Sequence, residues 1–214
     1  MPYVITIAQT KGGAGKTTLA CQLAAHFLSQ GRMLAGIDMD EQGGFARWGA
    51  MRSQRSEENF LGVESQSFLS LSHVNRAPAP CEIVLIDTPP RSDHRVRKAI
   101  RAADVVLAPL QLSPLDLYAT LPIAKMIGDA GKKALFVINR APPRAKIADT
   151  IRAMLKSYAL PVAAIELGGR AAFAETIATG GGVCDLPGRN PARRELQALG
   201  DEVAIALKAI RIAA

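Results

Sequence analysis

A chain of 214 residues with 26 Lys and Arg against 19 Asp and Glu carries a formal net charge of +7, and 49% of it is hydrophobic but only 5% aromatic. That size and content suit a single α/β domain over residues 1–214, with aliphatic strands packed on alanine-rich helices, and they exclude disordered and fibrous classes. The basic balance fits a polyanionic partner such as nucleic acid, and it fits an ordinary basic surface equally well.

The N-terminus shows no signal-peptide pattern and no apolar run approaches membrane-spanning length, so a cytoplasmic protein is expected. Cys21, Cys81 and Cys184 are scattered, with neither metal-site spacing nor a disulfide framework. They read as small, mostly buried residues.

Residues 3–8 form a strand-like aliphatic run, and Leu19, Ala20, Leu23, Ala24, Phe27 and Leu28 then recur at helical spacing. Between them lies Gln9-Thr10-Lys11-Gly12-Gly13-Ala14-Gly15-Lys16-Thr17-Thr18. Strand, glycine loop and helix is the context in which backbone N–H groups turn toward phosphate oxygens at the positive end of a helix. Lys16 then supplies a point charge to the outer phosphates, and the Thr17 hydroxyl suits a magnesium ion.

The common P-loop has glycine where this chain has Thr10, and a second lysine, Lys11, follows. In this the string from Lys11 to Thr18 resembles the deviant Walker A motif of the ParA/MinD family of P-loop ATPases. The resemblance implies a P-loop NTPase fold: an α/β protein with a mostly parallel twisted sheet and helices on both faces. It implies ATP and Mg²⁺ as cofactors, Gly12, Gly13, Ala14, Gly15, Lys16, Thr17 and Thr18 around the phosphates, and a homodimer sandwiching ATP, in which Lys11 reaches the partner's nucleotide.

Residues 33–37 read as a second buried strand that delivers Asp38 and Asp40 at its carboxyl end, where parallel sheets bind ligands. By resemblance Asp40 places the attacking water and Asp38 supports it. As residues alone, the two also suit a capping pair for a helix from 44 to about 52. The family commonly has proline after the second aspartate, and this chain has Glu41. Residues 53–80 carry no readable chemistry; 61–63 suggest a short strand and 68–74 a short helix.

Residues 82–87 are an almost continuous aliphatic run ending in Asp87, as expected of a strand buried on both faces. A carboxylate there can hold magnesium opposite Thr17. Asp87-Thr88-Pro89-Pro90 resembles the Walker B and switch II string of the same family. Arg91, Arg95, Arg97, Lys98 and Arg101 follow on a predicted helix, as a functional patch or a solvated face.

Residues 104–109 predict a fourth strand, and the segment 112–117 resembles a loop of small partition ATPases. The helix after it runs to Asp129, with Pro122 kinking it or lying in its first turn. Residues 134–140 predict a fifth strand ending in Asn139 and Arg140, where the family contacts adenine; a strand-end turn accounts for Asn139 equally well. A helix over 146–158 and a short sixth strand over 161–165 follow.

Residues 169–183 resemble the region after the last strand in ParA proteins, where arginines contribute to sequence-blind DNA binding. The counterparts here are Arg170, Arg189, Arg193 and Arg194, suited to phosphate contact. The closing helix, 195 to about 211, carries a core-packing stripe of Leu196, Leu199, Val203, Leu207 and Ile210.

No N-terminal helix-turn-helix precedes the loop, so the chain is similar to small, domain-only ParA-type partition ATPases. The resemblance implies a weak, partner-stimulated ATPase that dimerises on ATP, binds DNA non-specifically on the nucleoid and positions plasmid, chromosome or protein-cluster cargo. The stimulating partner is expected to be a small centromere-binding or adaptor protein, and no membrane contact is expected. The alternatives are a MinD-like membrane-associated regulator and a P-loop biosynthetic ligase.

Overall fold

The computed structural model describes residues 1–55, 57–65, 80–91, 94–142, 146–158 and 160–212. Six strands, β1 (Tyr3–Ile7), β2 (Leu34–Asp38), β3 (Phe60–Ser65), β4 (Ile83–Asp87), β5 (Val105–Leu110) and β6 (Lys133–Ile138), form one sheet in the order β3-β2-β4-β1-β5-β6. Every recorded pairing is parallel. Parallel strands need crossovers, and helices supply most of them.

The helices are α1 (Lys16–Ser29), α2 (Gly44–Ser53), α3 (His94–Ala102), α4 (Pro114–Asp129), α5 (Lys146–Ser157), α6 (Ala172–Ile177) and α7 (Pro191–Ile212). The two-residue strand period divides the core between the faces. Ile5 and Ile7 of β1, Ile83 and Leu85 of β4, and Val105 and Leu107 of β5 pack with α1, α2 and α7. Val106, Ala108 and Leu110 point the other way, into the cluster with α3, α4 and α5, while Val4, Val84 and Ile86 pack with Ala99 of α3. This is the doubly covered parallel sheet expected from the sequence.

Three elements differ from expectation. The segment 161–165 is no strand: only Val162 bridges Phe136, and the Ala164 N–H donates to Glu202 instead of continuing a ladder. Residues 61–63 belong to a six-residue edge strand paired with β2, with a register shift. Helix α7 starts four residues before Glu195, at Pro191, a favoured first helical residue. Its stripe is buried as expected at Leu196, Leu199, Val203 and Leu207, with Ile210 packed beside it. Pro122 lies inside α4, beyond its first turn. The helix expected over 68–74 lies outside the described residues. Cys21 and Cys184 are buried and Cys81 half-buried, all three free. Among the described residues, no helix is long and apolar enough to cross a membrane.

Candidate functional site

The sheet order sets the site. Central β1 lies between β4 and β5, so the loop leaving its carboxyl end emerges beside the end of β4. Register places Ile7 opposite Asp87, and Asp38 opposite Asp87 on the other side. Two carboxylates from strands 49 positions apart thus meet at the mouth of the loop. Ligand sites in open parallel sheets form at such carboxyl ends.

The glycine loop folds as its composition requires. Gly13 has φ of 76° and Gly15 of 95°, left-handed values that side chains rarely adopt. Gly15 is also crowded: a Cβ there would lie 2.2 Å from the Asn139 amide nitrogen. Lys16 is the first residue of α1 and is buried. Burial lowers its pKa, with Asp87 and then Asp40 opposing that shift.

Thr17 donates its hydroxyl to Asp87 Oδ2 at 2.6 Å. Asp87 Oδ1 is fully buried and has no hydrogen-bond partner among the described residues. Burial pushes the Asp87 pKa up to about 7, against the Thr17 hydrogen bond and with Asp38 adding repulsion. An orphaned, desolvated carboxylate oxygen beside a threonine hydroxyl suits a hard cation that takes further oxygens from phosphates. No cluster of three or more His, Cys, Asp or Glu able to hold a metal occurs among the described residues. A cation held by Thr17, Asp87 and a nucleotide needs none.

The acidic loop after β2 divides its roles. Asp38 is spent locally: Oδ1 accepts from the Asp40 N–H at 3.0 Å, and Oδ2 accepts from the Ala46 N–H at 2.9 Å in the first turn of α2. That is helix-capping geometry. Asp40 is half-buried and accepts from the Gln42 N–H at 3.0 Å through Oδ1. Glu41 pairs with Arg95 of α3 at 2.9 Å and so ties this loop to the segment after β4. The loop after β4 is held to β1 by the Thr88 hydroxyl on the Ile7 carbonyl, 2.8 Å, and to the glycine loop by the Arg91 N–H on the Thr10 carbonyl, 3.0 Å.

Lys11 lies at the front of the glycine loop, its side chain 41% exposed, and its ammonium group pairs with Asp116 of α4 at 2.8 Å. The residues before it bind the same region. Gln9 donates to the Pro109 carbonyl and to the Thr120 hydroxyl, and Thr10 donates to the Ala119 carbonyl at 3.0 Å. From the other side Gln111 donates to the Gly13 carbonyl at 3.2 Å. Sequence reading missed Gln9, Gln111 and Asp116 as site residues.

Asn139 and Arg140 sit at the end of β6. The Asn139 side chain donates to the Ala14 carbonyl at 2.9 Å and accepts from the Arg140 N–H at 2.9 Å. The amide thus braces the glycine loop and the Arg140 turn, whose φ is 53°. Beside it a recess of about 370 Å³ is lined by Thr18, Asn139, Arg140, Gly168, Arg170 and Phe173, among others.

The four arginines form no single cluster of contacts. Arg170 is held by Glu195, with two nitrogens on the carboxylate at 2.5–3.1 Å, and that bond raises its pKa. Arg193 donates to the Leu186 carbonyl at 2.9 Å. Arg189 and Arg194 are exposed and carry no ion pair among the described residues. On α3, Arg97 and Arg101 are also exposed.

A glycine loop feeding α1, with Lys16, Thr17 and a buried strand-end aspartate converging on it, defines a P-loop nucleotide-binding domain. Residues 5–183 match the CobQ/CobB/MinD/ParA nucleotide binding domain, and the chain belongs to that family. It is 26% identical over 193 residues to a maintenance of carboxysome distribution protein A from Halothiobacillus neapolitanus, covering 87% of this chain and 89% of that protein. It is 27% identical over 204 residues to the chromosome-partitioning ATPase Soj of Thermus thermophilus, covering 81% and 78%. Its fold matches the septum site-determining protein MinD of Pyrococcus horikoshii, solved with Mg-ADP, with a TM-score of 0.76 at 17% identity over 95% and 96% of the two chains.

Proposed function

We propose that this chain is a ParA-type ATPase that dimerises on ATP, binds DNA without sequence preference and positions a cargo on the nucleoid. The observation that carries the hydrolytic part is the convergence of Lys16, Thr17, Asp87 and Asp40 on one loop mouth, with Asp87 Oδ1 buried and unpartnered. Phosphoryl transfer needs positioning and charge neutralisation more than covalent chemistry, and these side chains offer both. Lys16 neutralises the outer phosphates, Asp40 orients the attacking water, and Asp38 holds the Asp40 loop. Magnesium, held by Thr17 and Asp87, supplies charge neutralisation at the phosphates. The recess beside Asn139, Arg140 and Gly168 takes the adenine.

The dimer is supported by the surface around Lys11. Leu115 and Tyr118 are 76% and 56% exposed on either side of Asp116, an apolar surface at which a second copy can bury area. The positioning role is supported by the similarity to the carboxysome-distribution and chromosome-partitioning proteins. The same similarity supports an adaptor or centromere-binding partner that stimulates slow hydrolysis. Arg189 and Arg194 lead the DNA contacts, since both are exposed and uncommitted among the described residues.

The test is binding to a random-sequence duplex with ATP, with ADP and without nucleotide across a salt series. ATP-dependent binding that weakens steeply with salt is expected. Absence of binding with ATP at low salt sinks the DNA step and redirects the search to lipid surfaces and small-molecule ligase substrates.

A further inference from the structure

The geometry points to Arg91 as a further phosphate-binding residue: its guanidinium contacts the terminal phosphate of the nucleotide in its own subunit and so favours a triphosphate over a diphosphate. This assignment rests on the reading of the loop mouth as an ATP site, and three observations carry it.

First, the backbone at Arg91 is strained. Its φ is 89°, in the left-handed region, which costs free energy for a long side chain. Glycine or asparagine would hold the same turn more cheaply, so the turn itself does not call for an arginine. Strain of this kind persists where the surroundings impose it. Here Pro89 and Pro90 stiffen the approach from Asp87, and the Arg91 N–H is bound to the Thr10 carbonyl at 3.0 Å.

Second, that bond sets where the side chain starts. The Thr10 carbonyl belongs to the peptide that leads into Lys11, so the Arg91 backbone lies against the front of the glycine loop. Asp87, where the turn leaves β4, accepts from the Thr17 hydroxyl at 2.6 Å. The turn from Asp87 to Arg91 therefore runs from the Thr17 side of the mouth to the front of the loop.

Third, the guanidinium is uncommitted. Arg91 is exposed and makes no side-chain hydrogen bond or ion pair among the described residues, although the Asp38, Asp40 and Asp87 charges converge on the mouth. The cations around it are already engaged. Arg95 is paired with Glu41 and Lys11 with Asp116, and Lys16 is buried against the Asp87 and Asp40 charges.

Charge balance gives the preference its direction. A triphosphate complexed with magnesium remains an anion, and a mouth holding three aspartates repels it unless further positive charge is brought in. Arginine's planar fork matches two phosphate oxygens at once. A diphosphate lacks the group that Arg91 reaches, so the contact distinguishes the two nucleotides.

The test measures binding of ADP and of a slowly hydrolysed ATP analogue, each with Mg²⁺, to chain dilute enough to sediment as a single subunit. Arg91→Asn, uncharged and at ease in the left-handed region, should weaken the analogue about tenfold, the scale of one charge-assisted contact, and leave ADP within about twofold. Its urea midpoint without nucleotide should equal or exceed the parent's, which separates lost binding from lost folding. Should Arg91→Asn fail to fold, Arg91→Gly takes its place and should shift the ratio of the two affinities the same way. Arg91→Lys keeps the charge without the fork and should fall between Arg91→Asn and the parent. Equal weakening of both nucleotides, the result for a purely structural turn residue, overturns the assignment, as does an unchanged analogue affinity in Arg91→Asn. So does a loss seen only at chain concentrations where dimers form, which places the contact across the interface. If the parent chain binds neither nucleotide, the ATP-site reading itself fails and this assignment with it.

Discussion

Asp87 is the residue on which folding and chemistry conflict. Its carboxyl group is fully buried, one oxygen bonded to Thr17 and the other to nothing among the described residues, and its pKa rises from 3.8 to about 7. In the nucleotide-free protein the folded state therefore holds a proton that the unfolded chain releases at lower pH. The linkage sign follows: the stabilisation is fully present below pH 3.8 and is lost as pH rises through about 7. Asp87→Asn, which cannot ionise, should remove that slope and be more stable than the parent chain above neutral pH without ligand. His26 opposes the trend, since burial lowers its pKa and its contribution is lost as pH falls below 6.5, but it is common to both proteins. Denaturant unfolding at pH 5, 6, 7 and 8 checks the difference; parallel stability curves would refute it. With Mg²⁺ and nucleotide the preference reverses, because a cation favours the carboxylate, and the variant should lose magnesium-dependent binding.

At the scale of elements, a buried cation joins two parts of the sheet's α1 face. Arg52, near the end of α2, is 1% exposed and donates to Glu57 at 2.8 and 2.9 Å, to Asp185 at 2.5 Å and to the Gly180 carbonyl at 3.3 Å. Its guanidinium also lies 5.9 Å from the Trp48 ring. These contacts fasten α2 to the segment before α7, and α2 in turn is capped by Asp38 at the nucleotide loop. Arg52→Ala removes the donor shared by two carboxylates and a carbonyl, leaving Asp185 with Arg55 and the Gly182 N–H. A loss of about 3 kcal/mol is expected, the low end for breaking a buried pair because Glu57 and Asp185 are partly exposed. Urea unfolding measures it, and a loss within 0.5 kcal/mol, the range typical of surface substitutions, would mean the network is structurally idle. Local chemistry made the core elements legible: the left-handed turn at Gly15 demands glycine, and the aliphatic run to Asp87 suits a strand buried on both faces. What stayed illegible depends on distance. Lys11 meets Asp116 across 105 positions and Arg52 meets Asp185 across 133, and no local pattern encodes either pairing. The segment 161–165 reads as a strand because it is an apolar run after a proline, but the sheet leaves it one bridge to make, at Val162.

For the molecule as a whole, the excess of seven positive charges matters only through where the cations are free to act. Each arginine that neutralises a DNA phosphate adds roughly 0.9 to the slope of log affinity against log salt. Arg170 is committed to Glu195 and Arg193 to a backbone carbonyl, so recruiting either would first break a contact within the fold. Arg189 and Arg194 have no such cost among the described residues, and they stand just before and within the first turn of α7, sharing one end of the domain. Arg189→Ala and Arg194→Ala should each weaken ATP-dependent binding to every duplex sequence alike. Each should reduce the salt slope by about 1 per site, doubled where a dimer presents both copies. Arg170→Ala should instead act mainly on stability, by freeing Glu195, whose carboxylate also accepts from the Gly168 N–H beside the nucleotide recess. A filter-binding salt series with all three variants separates these cases. Should Arg170→Ala alone flatten the slope while the two exposed arginines leave it unchanged, the DNA face lies on the nucleotide-recess side of the domain and the Glu195 pair is the contact that DNA displaces.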